Sequence, residues 1–173
     1  MCLQDKTGIQ KFNGQGIFLS RLWVNSRGWQ CYGLAEDEKQ ILWFIDVNER
    51  NREARLKRVD LKTGLKLRSE VSLTEVIGKS PLSKCRFLTF AGSKLYITDL
   101  GLDHVYVLDP EKVEEVERFG GPGTGEGQFS DPAGVGVDQA GNILVADSRN
   151  HRICLLDMNG NWLGKVIPYL DSF

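Results

Sequence analysis

The sequence predicts an all-β protein assembled from like four-stranded antiparallel sheets, and three observations predict it. Short apolar runs alternate with clusters of Gly, Asn and Asp along most of the chain, the pattern of antiparallel strands joined by tight turns. These strand–turn units recur, with Asp99 and Asp147 at like positions 48 residues apart. Gly is abundant, at 19 of 173 residues, as turns that need positive φ require.

The clearest unit is GVGVDQAGNILVADSRNHRICLLDMNGNWLGKV, Gly134 to Val166. It reads as four strands, at 134–137, 143–147, 152–156 and 162–167, split by turns at Asp138–Asn142 and Asp157–Gly160 and a loop at 148–151. Upstream, LYITDLGLDHVYVLD (Leu95–Asp109) matches ILVADSRNHRICLLD (Ile143–Asp157) position by position. Further back, Leu42–Asp60 repeats the pattern with a longer loop, and Ile9–Leu22 matches the third strand, turn and fourth strand of the last unit. A four-stranded unit with a period in the high forties is the mark of a β-propeller blade. Such a sheet cannot bury both of its faces alone, so each unit calls for a neighbour. The blades are expected at 1–24 (a half), 27–71, 84–119 and 129–168.

Residues Phe119–Val166 resemble an NHL repeat. The glycine-rich lead-in, Gln128-Phe129, Asp131 to Val135, Gly141-Asn142, Val145-Ala146-Asp147, Asn150 to Ile153 and Asn159-Gly160 carry the resemblance. It implies a propeller that is six-bladed in full, like the C-terminal domain of TRIM-NHL (tripartite motif) proteins. Six blades of about 48 residues need roughly 290, so the 173 residues here are expected to form about three and a half blades, beginning in mid-blade. The cysteine–histidine spacing of a RING or B-box is missing, so any ubiquitin-ligase chemistry would belong to another segment.

Composition narrows the function. The 22 Lys+Arg and 23 Asp+Glu leave a formal charge of −1, which argues against a whole-domain grip on nucleic acid but not against a local basic patch. No apolar run approaches the roughly 20 residues of a membrane span, and MCLQDKTGIQ has no apolar stretch like a signal peptide. Cys2, Cys31, Cys85 and Cys154 are far apart with no CxxC pair, and read as reduced thiols of a cytoplasmic protein. No cofactor and no metal site is expected.

Each recurring residue has a structural reading. Asp46, Asp99 and Asp147 end the second strand of their units, where a carboxylate accepts N–H groups of the following loop; a carboxylate ring for metal or acid–base work is the alternative. Gly134, Gly141 and Gly160 are repeat positions. His104 and His151, the two histidines of the chain, lack zinc-ligand spacing. GGPGTGEG (Gly120–Gly127) lacks the ending and the helix of a phosphate-binding loop and reads as a link between blades. Trp23, Trp29, Trp43 and Trp162 read as inter-blade core rather than base-stacking platforms. No GxSxG and no elbow-like Ser or Cys occurs.

Function is therefore expected on loops. In an up-and-down blade, the loops between strands two and three share one end with the links between blades. That end is the expected partner-binding rim, with Arg50, Arg52, Arg55, His104, Arg149 and His151 as its candidate residues and Arg68 among further basic positions nearby. The first reading is a non-catalytic platform that binds a protein partner, as the NHL domain of a TRIM-type E3 ubiquitin ligase would. A second is an RNA-binding NHL module that uses the basic rim, and a third an enzyme like propeller lactonases or lyases. Open blade edges would also favour self-association.

Overall fold

The computed structural model describes residues 2–5, 8–67, 70–77, 84–112 and 114–166, and their side chains apart from those of 2–5, 115 and 116. Arg68 and the Cys2 side chain lie outside the described residues. The chain folds as two compact units, Met1–Pro81 and Leu82–Phe173.

In the first unit, β1 (Cys2–Asp5), β2 (Gly8–Phe12) and β3 (Phe18–Val24) form a three-stranded antiparallel sheet. The sequence pattern anticipates only β2 and β3. Cys2–Asp5 holds no β-branched residue, so its strand state comes from the ladder with β2, in which Leu3 faces Gln10, rather than from propensity. The second sheet is a meander of β4 (Gln30–Glu36), β5 (Ile41–Asn48), β6 (Glu53–Asp60) and β7 (Val71–Ser72). β1 and β2 lie against β4. Ile9, Leu22 and Trp23 of the first sheet share a buried apolar layer with Cys31, Leu42, Phe44 and Val59 of the second. Trp23 meets Phe44 edge-on, with ring centroids 5.0 Å apart, a favoured aromatic geometry. A single helical turn, α1 (Leu73–Val76), follows β7 and buries Leu73 against β6 and β7. No feature of the strand–turn repeat announces it.

The second unit holds two four-stranded meanders. β8 (Cys85–Ala91), β9 (Lys94–Asp99), β10 (His104–Asp109) and β11 (Glu114–Gly120) form one. β12 (Pro132–Val137), β13 (Ile143–Asp147), β14 (Arg152–Leu156) and β15 (Trp162–Val166) form the other. β12 lies against β8 and β9. Between the sheets, Tyr96, Val105 and Val107 pack with Ile143, Val145, Cys154 and Leu156. Along β13 and β14 buried and less buried residues alternate, as strands with one covered face require. Phe129, which lies on the link between β11 and β12 rather than on a strand, is fully buried in the same layer. An aromatic ring buried in this way contributes about 1.5–3 kcal/mol, so the link is anchored as firmly as a strand.

One turn design recurs. At Asn13, Asp37, Asp138 and Asp157 the side-chain Oδ1 accepts the N–H groups two and four residues on, at 2.8–3.0 Å. The fourth residue of each turn has positive φ: Gly16 at 81°, Gln40 at 63°, Gly141 at 87° and Gly160 at 80°. A Cβ at Gly160 would lie 2.6 Å from the Phe119 ring, whereas one at Gly141 would make an ordinary 3.7 Å contact with Met158 Sδ. Gly134 differs, because its φ is not positive and a Cβ there would lie 3.6 Å from that of Ala146. Gly160→Ala should therefore lower stability by more than the roughly 1–2 kcal/mol that left-handed backbone costs a residue with a Cβ. Gly141→Ala should lose about that amount, and Gly134→Ala little. Gln40→Gly should raise stability by about 0.5–1 kcal/mol. Urea midpoints of the four variants check this order.

Bonds of this kind hold several turn aspartates below the usual carboxylate range. The Asn142 side chain does so foremost for Asp138 and the Asn161 side chain for Asp157. The Thr63 N–H does so for Asp60 and the Lys112 N–H for Asp109. A lowered native pKa gives stability that is present above the ordinary aspartate value of about 4 and is lost as pH falls through the native values. The urea midpoint should thus fall between about pH 5 and pH 3, and fall less in an Asp138→Asn/Asp157→Asn variant.

Candidate functional site

In each four-stranded sheet the end where strand two meets strand three holds a buried acid: Asp46, Asp99 or Asp147. In the last sheet Asp147 is fully buried. Its Oδ1 accepts the Ser130 N–H at 2.6 Å, and its Oδ2 accepts Asn150 Nδ2 and Arg152 Nε, each at 2.8 Å. The remaining guanidinium donors of Arg152 reach the carbonyls of Thr124, Gly125 and Gln128 at 2.8–2.9 Å, and its plane lies 5.3 Å from the Trp162 ring. One side chain thereby ties the glycine-rich link to the sheet, using the planar donor fork that lysine lacks. The link is closed on itself as well: Gln128 Oε1 accepts the Gly125 N–H at 3.0 Å, and Asn150 Nδ2 donates to the Gly123 carbonyl at 2.9 Å. Arg152 stands in the repeat motif, yet nothing in sequence spacing shows that its partners are backbone carbonyls 24–28 residues away.

Three loops of the second unit meet here. Asp103 takes the Gly121 N–H on its carbonyl at 2.7 Å and the Asp131 N–H on its Oδ1 at 2.8 Å. Ser130 and Asp131 accept the Arg149 and Ser148 N–H groups on their carbonyls. The expected rim residues sit among these bonds. Arg149 is largely exposed, with its guanidinium on Asp131. His151 is exposed at φ 51°, closing the 3-10 turn Ser148–Asn150. His104 Nδ1 donates to the Leu102 carbonyl, and its ring stacks on Tyr106.

Asp99 follows the expected chemistry in its own sheet: Oδ1 accepts the Gly101 and Leu102 N–H groups at 2.9 and 3.3 Å, and that of Lys84 at 2.6 Å. Asp46 does not. No loop N–H group bonds its buried carboxylate among the described residues, and its partner is instead the Lys57 ammonium, in an ion pair with Oδ2 at 2.9 Å. The physical reason is strand length. β5 runs on to Asn48, two residues past Asp46 on the same face, and Asn48 Oδ1 accepts the Arg50 and Asn51 N–H groups instead. Asp147 departs in another way, since its loop partner is a side chain rather than a following N–H.

Around Asp46 the first unit gathers charge and indole. Lys57 Nζ also reaches Glu70 at 3.0 Å and lies 4.6 Å from the Trp23 ring. The bond from Lys57 holds Glu70 below the usual carboxylate range. Arg55 packs 4.3 Å over Trp29 and pairs with Glu70 at 3.1 Å and Glu53 at 3.4 Å. Arg55 is therefore committed within the sheet, whereas Arg50 and Arg52 project exposed from the hairpin. Trp23 and Trp43 are core, Trp162 packs against core, and Trp29 is half-buried beneath Arg55.

Burial pushes the Cys31 thiol up to about 12, helped by the Asp46 charge, and the Cys154 thiol up to about 11. Both are thiols rather than thiolates at neutral pH, unlike reactive cysteines. Among the described residues no group of three or more His, Cys, Asp and Glu is placed to hold a metal ion. No helix among them is long and apolar enough to cross a membrane.

Comparison with known proteins agrees with this geometry. Residues 129–154 match the NHL repeat family. The B-box type zinc finger protein ncl-1 of Caenorhabditis elegans is 49% identical over 45 residues, which are 26% of this chain and 5% of that protein. Protein brain tumor of Drosophila melanogaster is 47% identical over 45 residues, 26% of this chain and 4% of its own. The matched stretch thus spans about one twentieth of these relatives. Among solved structures, a nidogen/laminin complex aligns with 96% of this chain and 59% of its own at TM-score 0.65 and 16% identity. Virginiamycin B lyase from Staphylococcus aureus aligns with 79% of this chain and 41% of its own at TM-score 0.57 and 16% identity. The fold is that of a β-propeller, and its repeat at 129–154 matches the NHL family and resembles those of TRIM-NHL proteins.

Arg152→Ala strands the buried Asp147 carboxylate and should cost about 3–5 kcal/mol. Arg152→Lys keeps a charge beside Asp147 but loses carbonyl bonds. It should cost less, while amides of 121–129 exchange faster than in the wild type. Urea unfolding and hydrogen exchange read the two effects separately.

Proposed function

We propose that this chain is a non-catalytic recognition platform that binds a protein partner through the loop end of its sheets. The observation that supports it is the construction of that end in the second unit. The loops at 100–104, 120–131 and 148–151 are fastened to one another by backbone and buried side-chain bonds, so little ordering entropy remains to oppose binding. Loops held by a rigid scaffold are where folds of this kind carry recognition. In the first unit the hairpin at 49–52 offers Arg50 and Arg52 at the same end of its sheet. The likeness of the 129–154 repeat to TRIM-NHL proteins supports a role as the substrate-recognition part of a ubiquitin ligase whose catalytic segment lies elsewhere.

A photo-crosslinking side chain at Ser148 or Arg50 should give polypeptide adducts in cells. The same group at Asn159 or Lys62, on the turns at the other end of the respective sheets, should give few. Equal yields at both ends overturn the reading, and adducts removed by ribonuclease favour an RNA ligand instead.

A further inference from the structure

We infer that the loop end of the second sheet receives an acidic segment of a protein partner, with Arg27, Arg50 and Arg52 as the receiving charges. This rests on the protein-recognition reading above and adds the chemistry of what is recognised.

Two turns build the surface. The Trp29 N–H donates to the Ser26 carbonyl at 3.0 Å with Gly28 at φ 84°, which sets Arg27 at the corner of a β-turn. The register Gln30↔Val47 brings this turn beside the β5–β6 hairpin. A Cβ at Gly28 would lie 3.7 Å from Asn48 Nδ2, so the two turns touch. Asn48 in turn fixes the hairpin through its bonds to Arg50 and Asn51. Arg27, Arg50 and Arg52 are all exposed on this paired surface.

The charge there is unbalanced. Asp46 and Glu70 are held by Lys57, and Glu70 and Glu53 by Arg55; Glu49 on the hairpin also has a partner of its own. Among the described residues no ion pair engages Arg27, Arg50 or Arg52. Guanidinium forks carried by two touching turns match the geometry of carboxylates. The aromatic side chains nearby favour polypeptide over RNA. Arg55 covers Trp29 at 4.3 Å and Lys66 covers Trp23 at 4.2 Å, whereas single-stranded RNA is read largely by bases stacked on free aromatic faces. Arg27 escapes the sequence pattern because it lies on a link rather than in the long hairpin; the signal was the turn tetrad Ser26-Arg27-Gly28-Trp29 opening a strand.

The test uses the full chain and fluorescence polarisation with a glutamate-rich peptide, a glutamine-rich peptide of equal length and a single-stranded oligoribonucleotide. The glutamate peptide should bind best, and its affinity should fall with added salt. In Arg27→Gln/Arg50→Gln/Arg52→Gln it should weaken by about tenfold or more with an unchanged urea midpoint. The charge-reversed variant Arg27→Glu/Arg50→Glu/Arg52→Glu should instead take up a lysine-rich peptide. Unchanged glutamate-peptide affinity in the Gln variant, or tighter binding of the oligoribonucleotide, overturns the inference. If the Gln variant keeps its polypeptide crosslinks from Ser148 while the glutamate peptide binds neither protein, the acidic partner is wrong and the recognition reading stands.

Discussion

A four-stranded antiparallel sheet has two faces and can cover neither, and the described packing follows from that. Tyr96, Val105 and Val107 share one face of their sheet, and that face is buried by laying Ile143, Val145 and Leu156 against it. Ile9 and Trp23 stand in the same relation to Phe44 and Val59. In each unit the shared layer joins a sheet to its sequence neighbour, so the turns can be short and the links carry the remaining geometry. The links do so by contributing core of their own, as Phe129 does.

The fold was legible because its period and its turn residues are local. Asp138 to Gly141 and Asp157 to Gly160 announce hairpins by chemistry that acts over four residues, and the strands Ile143–Asp147 and Arg152–Leu156 fall where the apolar runs stand. What stayed hidden depends on partners distant in the chain. β1 is a strand because β2 is beside it. α1 is one turn secured by a single buried leucine, too short to show a helical period.

The site was legible in outline only, and the buried acids show why. A repeat position fixes where a carboxylate sits but not what it meets. Asp99 meets loop N–H groups, Asp147 meets an arginine, and Asp46 meets a lysine because β5 continues to Asn48. A two-residue change in strand length thus passes the loop-holding task from Asp46 to Asn48. Arg55 looked like a rim residue from its place beside a basic loop, yet an i,i+2 relation to Lys57 on β6 puts it in the same cluster of indoles and carboxylates. Arg27 looked like nothing until the strand register set its turn against the hairpin.

The buried thiols give the molecule one more property. Cys31, Cys85 and Cys154 are in no disulfide, sealed from solvent and distributed one to each four-stranded sheet. An alkylating reagent can reach any of them only when its own sheet breathes. The three cysteines are therefore three internal clocks, and the order in which they are consumed would record which blade lets go first.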